Sequence, residues 1–249
     1  MTVPERAPLG AALAMLLAVV SLTGTLSPLL MAVSLALLAL LIGIAWPALL
    51  ELPSPVGTRV VVAGSGILGA LVTVLAPERI TPITGVVMVC AIGVFAAFGH
   101  EMVRTERRDL TASLTGTVAG VFVAAIAASW IIAQSAAVEA GTTGVVTSIA
   151  AGLAATLLVN STPLPSLPRF VLSALTGTGV TVALAISLAD LWPALAAGIG
   201  LVTAIGASSA HLLTGSSLVA KEPLPSLAVA AVPVATVGVV THLVVVLLP

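Results

Sequence analysis

The stretch VVVAGSGILGALV, residues 60–72, decides how the rest of the chain is read. Gly64, Gly66 and Gly69 follow an apolar run in G-x-G-x-x-G spacing, the pattern of a turn that grips a dinucleotide between a strand and a helix. Such a turn needs a βαβ unit, a helix N-terminus open to water, and an acidic residue about twenty positions on. Here the glycines lie in an apolar run over 60–76 with further apolar runs on both sides, and the next acid is Glu78. Inside a membrane helix, glycine has a simpler use: it lets a second backbone approach closely.

The composition agrees with the membrane reading. Of 249 residues, 59% are apolar and 7% charged, against roughly 25% charged in soluble domains. So few charges cannot cover a water-facing surface, and mean hydropathy is +1.28. The expected solvent is therefore lipid. A net charge of −1, with no basic patch interleaved with aromatics, gives no reason to expect nucleic acid. The single cysteine, Cys90, lies in an apolar run and is silent about compartment.

Apolar runs between Pro, Gly and charged punctuation give about nine spans: 8–24, 28–49, 60–76, 83–99, 111–133, 142–159, 170–188, 194–213 and 226–248. With the N-terminus in the cytoplasm, Arg6, Arg59, Arg104, Arg107, Arg108, Arg169 and Lys221 fall inside and only Arg79 outside. That distribution obeys the positive-inside rule. The expectation is an all-α, polytopic transmembrane helix bundle, a single integral membrane domain over 1–249, N-terminus in and C-terminus out, in the cell (inner) membrane. Arg6 before an apolar run also fits a cleaved signal peptide, although TGTLSP (23–28) leads straight into a second run, as in a helical hairpin. Trp46, Trp130 and Trp192 fall near predicted span ends, where an indole keeps its N–H hydrated. Pro47 is expected to end or kink the second span.

The later spans carry small residues at every fourth position, which share one helix face. These are Ala112, Gly116, Gly120, Ala124 and Ala128 in the fifth, and Gly144, Ser148, Gly152, Thr156 and Asn160 in the sixth. The seventh has Ser173, Gly177, Thr181 and Ala185; the eighth has Ala194, Gly198, Gly206 and Ala210. Such faces permit close packing in lipid, so spans five to eight are expected to form the tight centre. An alanine- and glycine-rich sequence also produces such stripes by chance.

No Lys, Arg, Asp or Glu lies deep in these spans, which removes the usual proton-relay carboxylate. Candidate chemistry rests on histidine, hydroxyls and one amide. Ser208, Ser209 and His211, with Thr214, Ser216 and Ser217, cluster at the cytoplasmic end of the eighth span, either as a polar pocket or as a wet helix end. Asn160 ends the sixth-span stripe and joins them as a candidate substrate contact. His242, in the outer half of the last span, shares a face with Ala230 and Gly238, with Pro233 between them able to free carbonyls. It is either a ligand contact or a neutral imidazole bonded to a neighbouring helix. The segment HEMVRTERRD (100–109) is the one charge-dense stretch; Arg104, Arg107 and Arg108 would meet anionic lipid headgroups at the inner leaflet or simply anchor topology. The three histidines lack metal-ligand spacing, no carboxylate cluster accompanies them, and no cofactor is called for.

From residue 104 onward the order of elements resembles the membrane fold of phosphatidate cytidylyltransferases. The resemblance rests on RRDLTASLTGTVAGVFVAAIAASW (107–130), four further spans, and GASSAHLL (206–213) at a polar end of the penultimate one. The family's acidic metal- and nucleotide-binding motifs are missing: the corresponding places read TSIAAG, GASSAH and TGSSLVAKEPLP. The resemblance therefore implies a non-catalytic, lipid-handling relative. Three functional expectations follow. The first is a small permease-like protein moving a neutral or weakly polar solute among spans five to nine. The second is the lipid-handling relative; the third is a packing subunit of a larger membrane complex or a homo-oligomer. No nucleophile–base pair or acidic dyad can be assembled, so no enzyme activity is expected.

Overall fold

The structure is a computed structural model that describes residues 7–75, 80–105 and 109–248, and among these residues it is helical with no strand. Ten helices follow one another: α1 Ala7–Ser21, α2 Ser27–Leu49, α3 Pro55–Leu75, α4 Pro82–Val103, α5 Leu110–Ile126, α6 Ser129–Ala140, α7 Thr143–Asn160, α8 Ser166–Ala189, α9 Pro193–Gly215 and α10 Pro225–Leu247. Residues 60–72 lie wholly inside α3, so the glycine triplet is no strand-to-helix turn. Gly66 instead abuts the Ala39 methyl of α2 and the Ala124 carbonyl of α5. Proline at the first turn starts α2, α4, α9 and α10, where its missing N–H costs nothing. The α6–α7 link is only Gly141 and Thr142, and Gly141 takes φ +70°, a left-handed cap that glycine adopts without strain.

Among the described residues, eight helical stretches are long and apolar enough to cross a membrane, and α1 is a shorter apolar helix. This defines a multi-pass membrane protein. Consecutive spans, with α5 and α6 counted as one, alternate in direction. Arg59, Arg104, Arg169 and Lys221 consequently gather at one end of the bundle, the basic end, and Glu139 and Asp190 lie at the other.

Several expectations are corrected. The fifth span does not stop at residue 133: α5 and α6 together run from Leu110 to Ala140, with tight turns at Ala127 and Ala128. Trp130 therefore lies ten residues inside the helical end rather than at the interface. It is fully buried, and its indole N–H donates to the Val234 carbonyl of α10 at 2.8 Å. Gly238 leaves the space its ring fills. Trp46 is likewise buried and donates to the Gly116 carbonyl at 2.8 Å. Gly116 and Gly120 thus make room for bulky side chains of α2 and its loop, Trp46 and Leu52, rather than for a second helix backbone.

The centre of the bundle also differs. In their most apolar stretches α7 is 72% buried and α5–α6 67%, and α2 and α10 follow at 56% each, whereas α8 and α9 reach only 28% and 39%. The leucine-rich second span is central and the seventh and eighth are peripheral. The stripes of α7 and α8 are nonetheless real. Gly144, Ser148, Gly152, Thr156 and Asn160 are all buried, as are Ser173, Gly177, Thr181 and Ala185. A Cβ on Gly152 would meet the Thr181 hydroxyl and lie 2.8 Å from the Gly177 carbonyl, and one on Gly177 would lie 3.0 Å from the Gly152 carbonyl. In α9 the expected face is the wrong one: Gly198 and Gly206 face open space, while Ala196, Gly200, Thr203, Ala207 and Ser208 are buried. Pro47 does not stop α2 at once; the helix closes two residues later, at Leu49.

Candidate functional site

Three polar clusters interrupt the apolar interior. The first joins α3, α4 and α5 at the basic end and centres on Glu101, the one buried charged side chain among the described residues, 3% exposed. Arg104 donates to Glu101 Oε2 and the Ser113 hydroxyl to Oε1, both at 2.6 Å. Thr117 bonds back to the Ser113 carbonyl and pairs with Thr58 of α3 at 2.9 Å. Beside them the His100 ring meets Ser54 at 2.8 Å and packs over Gly57, where a side chain would collide with it. Glu101 belongs to α4, two residues before its end, so α4 runs past the expected span of 83–99 and carries a buried carboxylate near its end, though not deep within the span. The cluster also takes up Arg104, a candidate headgroup ligand, as an ion-pair partner. Arg107 and Arg108 lie outside the described residues, as do Arg6 and Arg79.

The second cluster gathers several candidate substrate contacts. Asn160, at the end of α7, donates to the Ser208 hydroxyl of α9 at 3.1 Å, and Ser208 pairs with Ser173 of α8 at 2.9 Å. Three helices therefore meet through one amide and two hydroxyls. His211 stands a turn further along α9 and faces the Val229 backbone. Val229 is the residue whose carbonyl Pro233 leaves without its helical N–H donor. It is thus His211, not His242, that meets the backbone opened by this proline. Ser209 is half-buried beside Ser208, with no role in the bonds that join the three helices.

Along the same seam several polar atoms are buried without any partner: Thr178 Oγ1 on α8, Thr203 Oγ1 on α9 and His211 Nδ1. The contrast with neighbouring residues is chemical. Thr156, Thr181 and Thr214 each donate to the carbonyl four residues back, at 2.9, 2.9 and 2.8 Å, the usual way a helical threonine is satisfied. Gly200 brings α9 against this part of α8, since a Cβ there would lie 3.0 Å from the Thr178 Cα.

The third cluster is at the opposite end. Gln134 of α6, fully buried, donates to the Ser21 carbonyl at 3.0 Å and the Ser27 hydroxyl at 2.7 Å, and Ser21 meets Thr147 of α7 at 2.6 Å. It ties the α1–α2 turn to α6 and α7. His242 lies towards this end of α10, away from the second cluster, and its Nδ1 has no partner. Among the described residues no three His, Cys, Asp or Glu side chains lie close enough together to hold a metal ion.

A helical bundle of membrane spans with hydroxyl-rich seams is the class that fold and site define. No family model matches the chain, and neither a curated protein nor a solved structure is similar to it. The cytidylyltransferase resemblance accordingly rests on its sequence stretches alone.

Proposed function

We propose that the protein is a small permease of the cell membrane, with its basic end in the cytoplasm, that binds and moves a neutral or weakly polar solute along the seam between α7, α8 and α9. The carrying observation is the pair of buried hydroxyls, Thr178 Oγ1 and Thr203 Oγ1, that bond neither to another side chain nor to their own helices. A buried hydroxyl left unbonded costs about 1–3 kcal/mol, and valine would fill the same space without that cost. Holding such groups in a lipid-embedded helix pair is explained when a solute satisfies them. Two further features support the reading. The helices that carry these groups are among the least buried spans, and they meet across glycines, so they can shift against the α7 core with little repacking. The one charged side chain on α7, α8 and α9 is Arg169, at the basic end near His211, and the stretch around Thr178 and Thr203 carries none, which suits an uncharged solute.

Proteoliposomes tested by stopped-flow light scattering against glycerol, urea and a neutral monosaccharide provide the experiment. The expected result is entry of at least one solute faster than into protein-free liposomes, and slower entry with Thr203→Val. Permeability equal to that of bare liposomes for the whole panel would remove the proposal.

A further inference from the structure

Of the three helices that meet in the seam, two are clamped to each other. The Thr181 hydroxyl of α8 fills the space beside Gly152 of α7, and the Thr156 hydroxyl of α7 fills the space beside Gly177 of α8. These sockets are reciprocal, so α8 cannot slide along α7 without driving a threonine into the opposing backbone. Further from the basic end Gly144 lies against the Leu188 backbone, where a Cβ would stand 2.5 Å from the Leu188 carbonyl oxygen. The third helix, α9, is held differently. Gly200 and Ala204 meet α8 by van der Waals contact, and among the described residues Ser208 makes the hydrogen bonds that tie α9 to the clamped pair. Counting protons puts Ser208 at the centre of that tie. A hydroxyl has one hydrogen, and Ser173 gives its own to the Phe170 carbonyl at 2.8 Å. Ser208 therefore donates to Ser173 and accepts from Asn160, so both interhelical bonds run through one oxygen.

The polar groups of α9 are also one-sided. Residues 193–202 carry no polar side chain, whereas Thr203, Ser208, Ser209, His211 and Thr214 follow towards the basic end. A solute leaving Thr178 and Thr203 finds hydrogen-bonding groups on α9 in that direction, and an apolar half helix in the other would strip its hydration without compensation. Along both α8 and α9 the trio Asn160, Ser173 and Ser208 stands about 7.5 Å nearer the basic end than the unbonded threonines. It lies across the route.

We infer that this trio is the gate between the solute site and the basic end, with Ser208 giving up both bonds as α9 swings away from the α7–α8 clamp. The inference rests on reading the seam as a solute site. Hydrogen bonds suit a gate at this place, because water or solute entering from the basic end restores most of what their breaking costs. Parting the backbones at Gly144 and Leu188 forfeits dispersion contacts that nothing restores.

The test uses the full chain in a Cys90→Ala background, with Thr203→Cys as the reporter, in membrane vesicles of both orientations. A separate Lys221→Cys variant shows which preparation exposes the basic end. A membrane-impermeant maleimide is expected to label residue 203 from the basic end and not from the other. Ser208→Ala, which removes both interhelical bonds, is expected to raise that rate about tenfold, and Asn160→Ala, which removes one, about threefold. Thr214→Val takes a hydroxyl from the same end of α9 that bonds within its own helix, and should leave the rate unchanged. Should Ser208→Ala fail to fold, Asn160→Ala carries the comparison. Labelling from the opposite end or from neither, an unchanged rate in the gate variants, or equal acceleration by Thr214→Val would each overturn the inference. Labelling requires no solute, so a failed gate is distinguished from a failed solute reading: the first shows in these rates, the second in proteoliposome permeability.

Discussion

The α3–α5 cluster and the α7–α9 seam are built from similar side chains near the same end of one bundle, yet they treat their polar groups differently. Around Glu101 every group described is bonded: the carboxylate accepts from Arg104 and Ser113, Thr58 pairs with Thr117, and Ser54 with His100. In the seam the bonded trio Asn160, Ser173 and Ser208 stands beside Thr178, Thr203 and His211 with atoms unbonded. In a low-dielectric interior a satisfied network rigidifies, whereas an unsatisfied one stores a cost that a ligand can relieve. The first region fastens helices together; the second is the one able to gain energy from binding. Stability and function should therefore separate between them.

The largest effect on stability is expected at Glu101. Glu101→Ala removes the acceptor of two hydrogen bonds in a buried site and should cost about 3 kcal/mol, read as a lower unfolding midpoint in detergent. A double-mutant cycle with Ser113→Ala should show coupling, because one bond is shared. Next comes Gly152→Val, which drives a side chain against the Gly177 carbonyl and Thr181; overpacking of this kind costs about 1–3 kcal/mol and should appear as a broadened size-exclusion profile. Trp130→Phe keeps most of the ring but loses the bond to Val234, for about 1 kcal/mol. The smallest effect belongs to Thr203→Val, whose hydroxyl has no partner to lose; the midpoint should move by less than about 0.5 kcal/mol equivalent. If Thr203→Val proved as damaging as Glu101→Ala, the distinction between the two regions would fail.

Much of this architecture was legible in the chain. Long apolar runs separated by proline and charge mark the spans, because lipid leaves the backbone no alternative to helix. The α7 and α8 stripes could be read because residues four apart share a face and both faces met a partner. In α9 the same rule selected Gly198 and Gly206, which face open space, since spacing alone does not say which side a neighbour occupies. Glu101 was missed for a related reason: its run was ended at residue 99, and what allows a carboxylate to stay inside is Ser113, twelve residues away on another helix. The HEMVR stretch did hold one sign of it, the i,i+3 spacing of Glu101 and Arg104. Trp130 was misplaced because the fifth span was ended at residue 133, although Gln134 just beyond it is buried, its amide N–H groups donating to Ser21 and Ser27 across the fold while its Oε1 has no partner. Asn160 and Ser208 were both singled out, but their union with Ser173 required the three-dimensional fold.

The most direct test of the opening seam is thiol accessibility at position 203. In a Cys90→Ala background, Thr203→Cys in intact membrane vesicles would be treated with a membrane-impermeant maleimide. A seam that opens to pass a solute predicts labelling of residue 203, and slower labelling once a transported solute is added. A residue 203 thiol that stays unlabelled until the protein is denatured would contradict it.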